Sequence, residues 1–129
     1  MDDKTKVLIV EDDLFLSDLY KMEFEKYGFL VTQAFDGADA LAKASLEKPA
    51  IIILDLILPE FSGLEVLEKI KGDQTLGKTP IVVLSNLRDE EVIKKALALG
   101  ADGYIIKATL TPKQVVEEAK KYLNNSTSN

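Results

Sequence analysis

The chain contains neither cysteine nor histidine. The first absence rules out disulfide frameworks and thiolate chemistry and suits a reducing compartment; the second removes imidazole bases and, with the first, the common zinc sites. Positive charge is also scarce: 16 Lys and Arg face 22 Asp and Glu, a formal net charge of −6 with no basic stripe. Such a surface repels a phosphate backbone, so no direct nucleic-acid binding by this domain is expected. No apolar run approaches the ~20 residues of a membrane helix, and the opening "MDDKTK" lacks the basic-then-apolar layout of a signal peptide. The reading is a soluble, cytoplasmic protein that does not contact a membrane. Any chemistry must use carboxylates, hydroxyls, lysines or bound ions.

What is present is a chain of 129 residues that alternates between two periodicities. That length suits one domain able to bury a core without crosslinks. Lys6 to Val10 reads as a strand and Leu14 to Tyr27 as a helix, with Leu16, Leu19, Tyr20 and Phe24 at helical spacing. "FLVTQAF" from Phe29 is strand-like, with Gly28 before it, and "ADALAKASLEK" is helical up to Pro49. "AIIILDLIL" from Ala50 is apolar on both faces, as a central strand covered by helices on each side should be. Ser62 and Glu65 predict a capping box for a helix through Leu64, Leu67 and Ile70 that stops near Gly72. "PIVVLS" is a fourth strand, Val92 to Gly100 mark a fourth helix, and "GYIIK" is a fifth strand. Thr111, Pro112 and Gln114 open a fifth helix that runs to Leu123. The domain is thus assigned to 1–123, and the polar stretch 124–129 is expected to be a disordered tail.

Five β/α pairs with short connections predict an α/β fold, a flavodoxin-like (βα)5 three-layer sandwich with a five-stranded parallel sheet of order 2-1-3-4-5. The functional crevice of such a sheet lies beyond the carboxyl ends of its strands. The first strand delivers Glu11, Asp12 and Asp13 there, the third Asp55, the fourth Ser85 and Asn86, and the fifth Lys107. Asp55 is the sharpest of these, because a carboxylate inside an apolar run must find partners or bear a large desolvation cost. Carboxylates held so close repel one another unless a cation or shared protons relieve them, and a hard, oxygen-seeking ion such as Mg²⁺ fits. Lys107 adds a fixed positive charge and Ser85 a neutral donor, which makes a place for a phosphoryl group with a carboxylate as nucleophile. Singly, each residue has a plainer reading: Asp13 as a helix cap, Lys107 as a surface lysine. Their joint placement on four adjacent strand ends is what points to a site.

The stretches "VLIVEDD", "ILDLILPEFSGLEVL", "PIVVLSN" and "GADGYIIKA" resemble the CheY-like receiver domains of two-component response regulators, over about Lys6 to Leu123. The resemblance implies that Asp55 accepts a phosphoryl group from a histidine kinase or histidine phosphotransfer protein. It implies Mg²⁺ held by Asp55, by Asp12 directly, by Glu11 largely through water, and by the backbone carbonyl of Ile57. Ser85 becomes the switch hydroxyl, Lys107 the cation that meets the phosphoryl group, and Tyr104 the aromatic that changes rotamer. Pro59 and Gly63 match the loop after the acceptor. Such a protein is a signalling switch and not an enzyme beyond phosphorylating its own aspartate and slowly losing that group. Phosphorylation would reshape the surface of the fourth helix, fifth strand and fifth helix for a downstream partner or effector domain, or for a phosphorylation-dependent dimer.

Two positions depart from the family pattern. Asn86 stands where Ala or Gly is common, and Ala108 where most members have a proline with a cis peptide before it. A non-proline cis bond costs ~2.5–4 kcal/mol, so the expectation is a trans Lys107–Ala108 peptide or a strained cis one. Ile57 and Leu87 flank the attacking water's route in the family, and being apolar they predict slow self-dephosphorylation. Among competing readings, a haloacid-dehalogenase-type enzyme would need a second acid where Ile57 stands. A flavodoxin-like cofactor binder would need glycine or hydroxyl residues where "EDDLF" is acidic. The alternative carried forward is a phosphorylation-independent receiver-like interaction module. The chain is read either as a stand-alone receiver or as the front of a longer regulator.

Overall fold

The computed structural model describes residues 4–60 and 62–127. Its elements run β1 (Lys6–Val10), α1 (Leu14–Lys26), β2 (Leu30–Ala34), α2 (Gly37–Glu47), β3 (Ile51–Leu54), α3 (Gly63–Lys71), β4 (Ile81–Ser85), α4 (Glu90–Ala98), β5 (Gly103–Ile106), a 3₁₀ turn (Lys107–Thr109) and α5 (Pro112–Thr127). All strand pairs are parallel and the order is β2-β1-β3-β4-β5. This is the flavodoxin-like three-layer sandwich expected from the alternating periodicities.

Alternation along the strands divides the core in two. Leu8, Val10, Ile52, Leu54, Ile81 and Val83 project to one face, where Ala40 and Ala44 of α2, Leu67 and Ile70 of α3 and Ala96 of α4 pack on them. Val7, Ile9, Ile51, Ile53, Val82 and Leu84 project to the other, against Tyr20 and Phe24 of α1 and Val115, Val116 and Ala119 of α5. β3 and β4 are buried end to end because both of their faces are covered. Each large aliphatic so buried contributes roughly 1.5–3 kcal/mol, which makes these two half-cores the main support of the sheet.

Side-chain caps start the helices close to the strand ends. Asp13 Oδ1 accepts from Leu16 N–H at 3.0 Å, the Ser62–Glu65 capping box is present, and Thr111 and Gln114 cap each other reciprocally at 2.9 and 3.2 Å. A cap of this kind contributes about 1 kcal/mol and fixes the direction in which the loop enters the helix.

Beyond shifts of one or two residues at element ends, three departures from expectation stand out. The apolar run suggests a strand through Leu58, but β3 stops at Leu54. The chain turns there because Gly63 N–H donates to the Leu56 carbonyl at 2.9 Å, drawing the start of α3 against the strand end. A methyl group on Gly63 would overlap the Asp55 carbonyl oxygen and the Leu56 Cα. The 3₁₀ turn after β5 has no counterpart in the hydrophobic pattern. Helix α5 continues to Thr127, past the domain end expected at Leu123. Of the expected tail, Ser128 and Asn129 lie outside the described residues.

Candidate functional site

Strand register brings the site residues together. Val10 pairs with Leu54, so the next residues, Glu11 and Asp55, leave the sheet side by side. Asp55 N–H still bonds the Val10 carbonyl at 3.0 Å, and Glu11 N–H bonds that of Ala34 at 3.0 Å. On the other side of β3, Leu54 pairs with Val83, and Ser85 at the end of β4 pairs with Ile106, one residue before Lys107. Parallel strands that end together thus project four polar residues into one crevice.

The carboxylates are held tightly. Glu11 is 3% exposed and Asp55 6%, whereas Asp12 is exposed. Lys107 Nζ bridges the two buried acids, 2.5 Å from Glu11 Oε1 and 2.9 Å from Asp55 Oδ2. Glu11 Oε2 accepts from Asp13 N–H at 3.0 Å, and Asp55 Oδ1 accepts from Ile57 N–H at 3.2 Å. Glu11 Oε1 is held to Lys107 by charge, without a well-directed hydrogen bond. Burial pushes the Glu11 carboxyl up from its ordinary pKa, and the Lys107 ammonium only partly offsets this. Burial opposes the charge on Lys107 itself, yet its close contacts with the Glu11 and Asp55 carboxylates outweigh that and raise its pKa. Glu11 therefore meets Lys107 directly, a contact that the sequence does not announce.

Carboxylate oxygens of Glu11, Asp12 and Asp55 lie within 4.8 Å of one another. The donor set is all hard oxygen, and three carboxylates against one ammonium leave an uncompensated negative charge, the composition that suits a divalent ion of the Mg²⁺ type. Glu11 Oε1 is buried and held only by the charge of Lys107, a carboxylate oxygen of the kind a hard cation binds. These residues fit the cofactor expected of them.

Ser85 is fully buried and does not bond Asp55 among the described contacts; its Oγ accepts from Leu87 N–H at 3.2 Å. Tyr104 rests against the α2–α3–α4 half-core and its hydroxyl donates to the Leu87 carbonyl at 2.8 Å. Burial raises the Tyr104 pKa, and the neighbouring Ser85 hydroxyl partly counters it. Ser85 and Tyr104 are thus joined through the Leu87 backbone, a link that sequence reasoning misses because main-chain bonds leave no mark in side-chain identity. Ile57 rims the crevice and is 56% exposed. The Lys107–Ala108 peptide is trans, since the described residues contain no cis bond.

A family model for the response regulator receiver domain matches residues 7–120. The chain is 37% identical over 122 residues to the alkaline phosphatase synthesis transcriptional regulatory protein PhoP of Bacillus subtilis (strain 168), covering 94% of this chain and 49% of that protein. It is 38% identical over 103 residues to the response regulator ArlR of Staphylococcus aureus (strain USA300), covering 80% and 46% respectively. It spans about half the length of these curated relatives. Among solved structures, a CheY-like response regulator receiver domain protein from Methanospirillum hungatei JF-1 superposes with a TM-score of 0.89 at 28% identity, covering 96% of this chain and 97% of that one. The chemotaxis response regulator CheY4 of Vibrio cholerae superposes with a TM-score of 0.84 at 27% identity, covering 93% and 98%. With the fold, the crevice and these likenesses in agreement, the chain belongs to the response regulator receiver domain family of two-component signalling.

Proposed function

We propose that Asp55 is the phosphoacceptor of this receiver, that Glu11, Asp12, Asp55 and the Ile57 carbonyl hold Mg²⁺, and that Ser85, Lys107 and Tyr104 convert phosphorylation into a change of surface. The observation that carries the reading is the bridge from Lys107 to Glu11 and Asp55 at the mouth of an acidic crevice. When bound there, Mg²⁺ would neutralise the carboxylates and polarise phosphoryl oxygens.

A partner histidine kinase or phosphotransfer protein presents a phosphohistidine to the crevice. An Asp55 carboxylate oxygen attacks the phosphorus; a P–O bond forms as the P–N bond breaks, and the imidazole nitrogen leaves with the electron pair. Lys107, already on Asp55 Oδ2, stays close enough to neutralise charge that develops on the phosphoryl oxygens. Ser85 then exchanges its present surroundings for a phosphoryl oxygen. Leu87 follows, because Ser85 Oγ holds its N–H and Tyr104 holds its carbonyl. The motion reaches α4 and β5, so the α4–β5–α5 face becomes the surface read by a downstream partner, an effector domain or a second copy. Phosphorylation shifts this equilibrium only by its unequal contacts with the two arrangements. No helix among the described residues is long and apolar enough to cross a membrane.

The test is incubation with acetyl phosphate and Mg²⁺, read by intact mass, for the wild type and Asp55→Asn. One added phosphoryl group in the wild type alone is expected. No Asp55-dependent addition would favour the phosphorylation-independent interaction module. The exposed Ile57 side chain, together with Leu87 packed on the half-core, supports a long-lived phosphoaspartate. An unchanged decay rate in Ile57→Asn with Leu87→Glu would remove that part of the reading.

A further inference from the structure

The two residues that depart from the receiver pattern touch each other. Asn86, the first residue after β4, accepts at Oδ1 a 2.9 Å hydrogen bond from Ala108 N–H, in the turn after β5. A proline at position 108 has no N–H to give, and an alanine at position 86 has no acceptor to offer. The bond exists because both positions differ.

Its place in the fold gives it consequence. Ala108 lies in the middle of the three-residue 3₁₀ turn that begins with Lys107. A single such turn has little stability of its own and leaves its first N–H groups without intrahelical partners. The turn's own backbone bond, Leu110 N–H to the Lys107 carbonyl, is long at 3.3 Å, and Thr109 Oγ1 adds a bond to the Ile106 carbonyl at 2.8 Å. Asn86 supplies the tie from outside the turn, across to the neighbouring strand end. Ser85, the residue before Asn86, and Lys107, the residue before Ala108, are the two groups that must meet a phosphoryl group on Asp55.

We infer that Asn86 is a positioning residue: its carboxamide fixes the turn after β5, orients Lys107 toward Glu11 and Asp55, and couples the loop of Ser85 to the loop of Lys107. The inference rests on the reading of Asp55 as phosphoacceptor for its kinetic consequence, though not for the geometry it asserts. Movement of Ser85 carries Asn86 with it, and through the Ala108 bond acts on the backbone that holds Lys107. In a chain with proline at position 108 the two loops would lack this tie.

The test is a double-substitution cycle in the full chain: wild type, Asn86→Ala, Ala108→Pro and both together. Phosphorylation is followed against acetyl phosphate concentration in Mg²⁺, and the Ala108 amide and Lys107 ammonium are followed by ¹⁵N resonance. Asn86→Ala should lower the maximal rate about two- to tenfold, the range for loss of one hydrogen bond, with the half-saturating donor concentration little changed. It should also broaden the Lys107 ammonium signal. Asn86→Asp, which keeps the acceptor oxygen, should retain the Ala108 amide position. In the Ala108→Pro background, removing the Asn86 carboxamide should have no further effect. An Asn86→Ala protein with wild-type rate and Lys107 signal, or an equal effect of that change in the wild-type and Ala108→Pro backgrounds, would overturn the inference. Should Ala108→Pro not fold, the Asn86→Ala and Asn86→Asp spectra decide the matter. The Lys107 signal does not depend on phosphorylation, so failure of the phosphoacceptor reading and failure of the clamp are told apart.

Discussion

Gly63→Ala is a severe test of how the site is built. Gly63 is buried at the first turn of α3, and the added methyl would overlap the Asp55 carbonyl oxygen and the Leu56 Cα. Both are backbone atoms of the strand end, so no side-chain rotation relieves the overlap. Separating α3 from β3 stretches the 2.9 Å bond from Gly63 N–H to the Leu56 carbonyl. Overpacking costs about 1–3 kcal/mol, and loss of a buried hydrogen bond another ~1–3 kcal/mol. Alanine's better helix propensity returns at most ~1 kcal/mol. The net loss expected is about 3 kcal/mol, or roughly 11 °C in Tm for a chain of 129 residues. Gly28→Ala is the comparison: its φ is +90° but nothing lies within 4 Å of the added Cβ, so backbone strain is the whole cost. That change should cost about 1–2 kcal/mol. Thermal unfolding followed by circular dichroism gives both values, and beryllofluoride affinity should fall in Gly63→Ala while holding in Gly28→Ala. A Gly63→Ala protein as stable as the wild type would refute the steric argument, and with it the claim that glycine is what lets α3 approach Asp55.

Lys107→Met leaves Glu11 and Asp55 buried without their cation, and in Mg²⁺-free urea unfolding at neutral pH it should cost about 3–5 kcal/mol; an unchanged midpoint would mean the bridge carries no stability. Because the folded-state pKa of Lys107 is raised, its contribution is full below the ordinary lysine value near ~10.4 and is lost as pH rises through the folded value. The stability gap between wild type and Lys107→Met should therefore be flat around neutrality and narrow above about pH 10.5; a gap that widens there would contradict the sign. Tyr104→Phe keeps the ring and removes the bond to the Leu87 carbonyl, which should cost about 0.5–1.5 kcal/mol and speed amide exchange at Leu87 and Arg88; unaltered exchange would break the proposed link between Tyr104 and the β4–α4 loop.

Much of the site is legible because chemistry that is costly to bury stands out in a line of letters. Asp55 inside an isoleucine run is such a case, and so is an acid cluster directly after a strand. The helix starts are legible for a similar reason: Asp13, Ser62 and Thr111 are short polar side chains placed where free backbone N–H groups need acceptors. What is not legible involves the main chain or long-range proximity. The early end of β3 depends on α3 arriving from further along the chain, and Leu87 matters through its N–H and carbonyl, which every residue but proline shares. The ion pair of Glu11 with Lys107 belongs here too: the family resemblance concerns the part Glu11 plays toward Mg²⁺, and its contact with Lys107 is visible only in the fold.

The residue order alone determined the alternation of strand and helix, and with it the parallel sheet, because hydrophobic periodicity and the handedness of crossovers leave few other ways to bury both faces of β3 and β4. It also determined which residue types reach the carboxyl edge. Only the tertiary structure decided how they pair there. Asn86 and Ala108 lie 22 residues apart and read as two unrelated departures, yet the register of β4 against β5 brings the Asn86 side-chain carboxamide oxygen to the Ala108 N–H. A hydrogen bond needs its partners within about 3 Å and aligned. That condition belongs to the folded sheet and is not written in either residue.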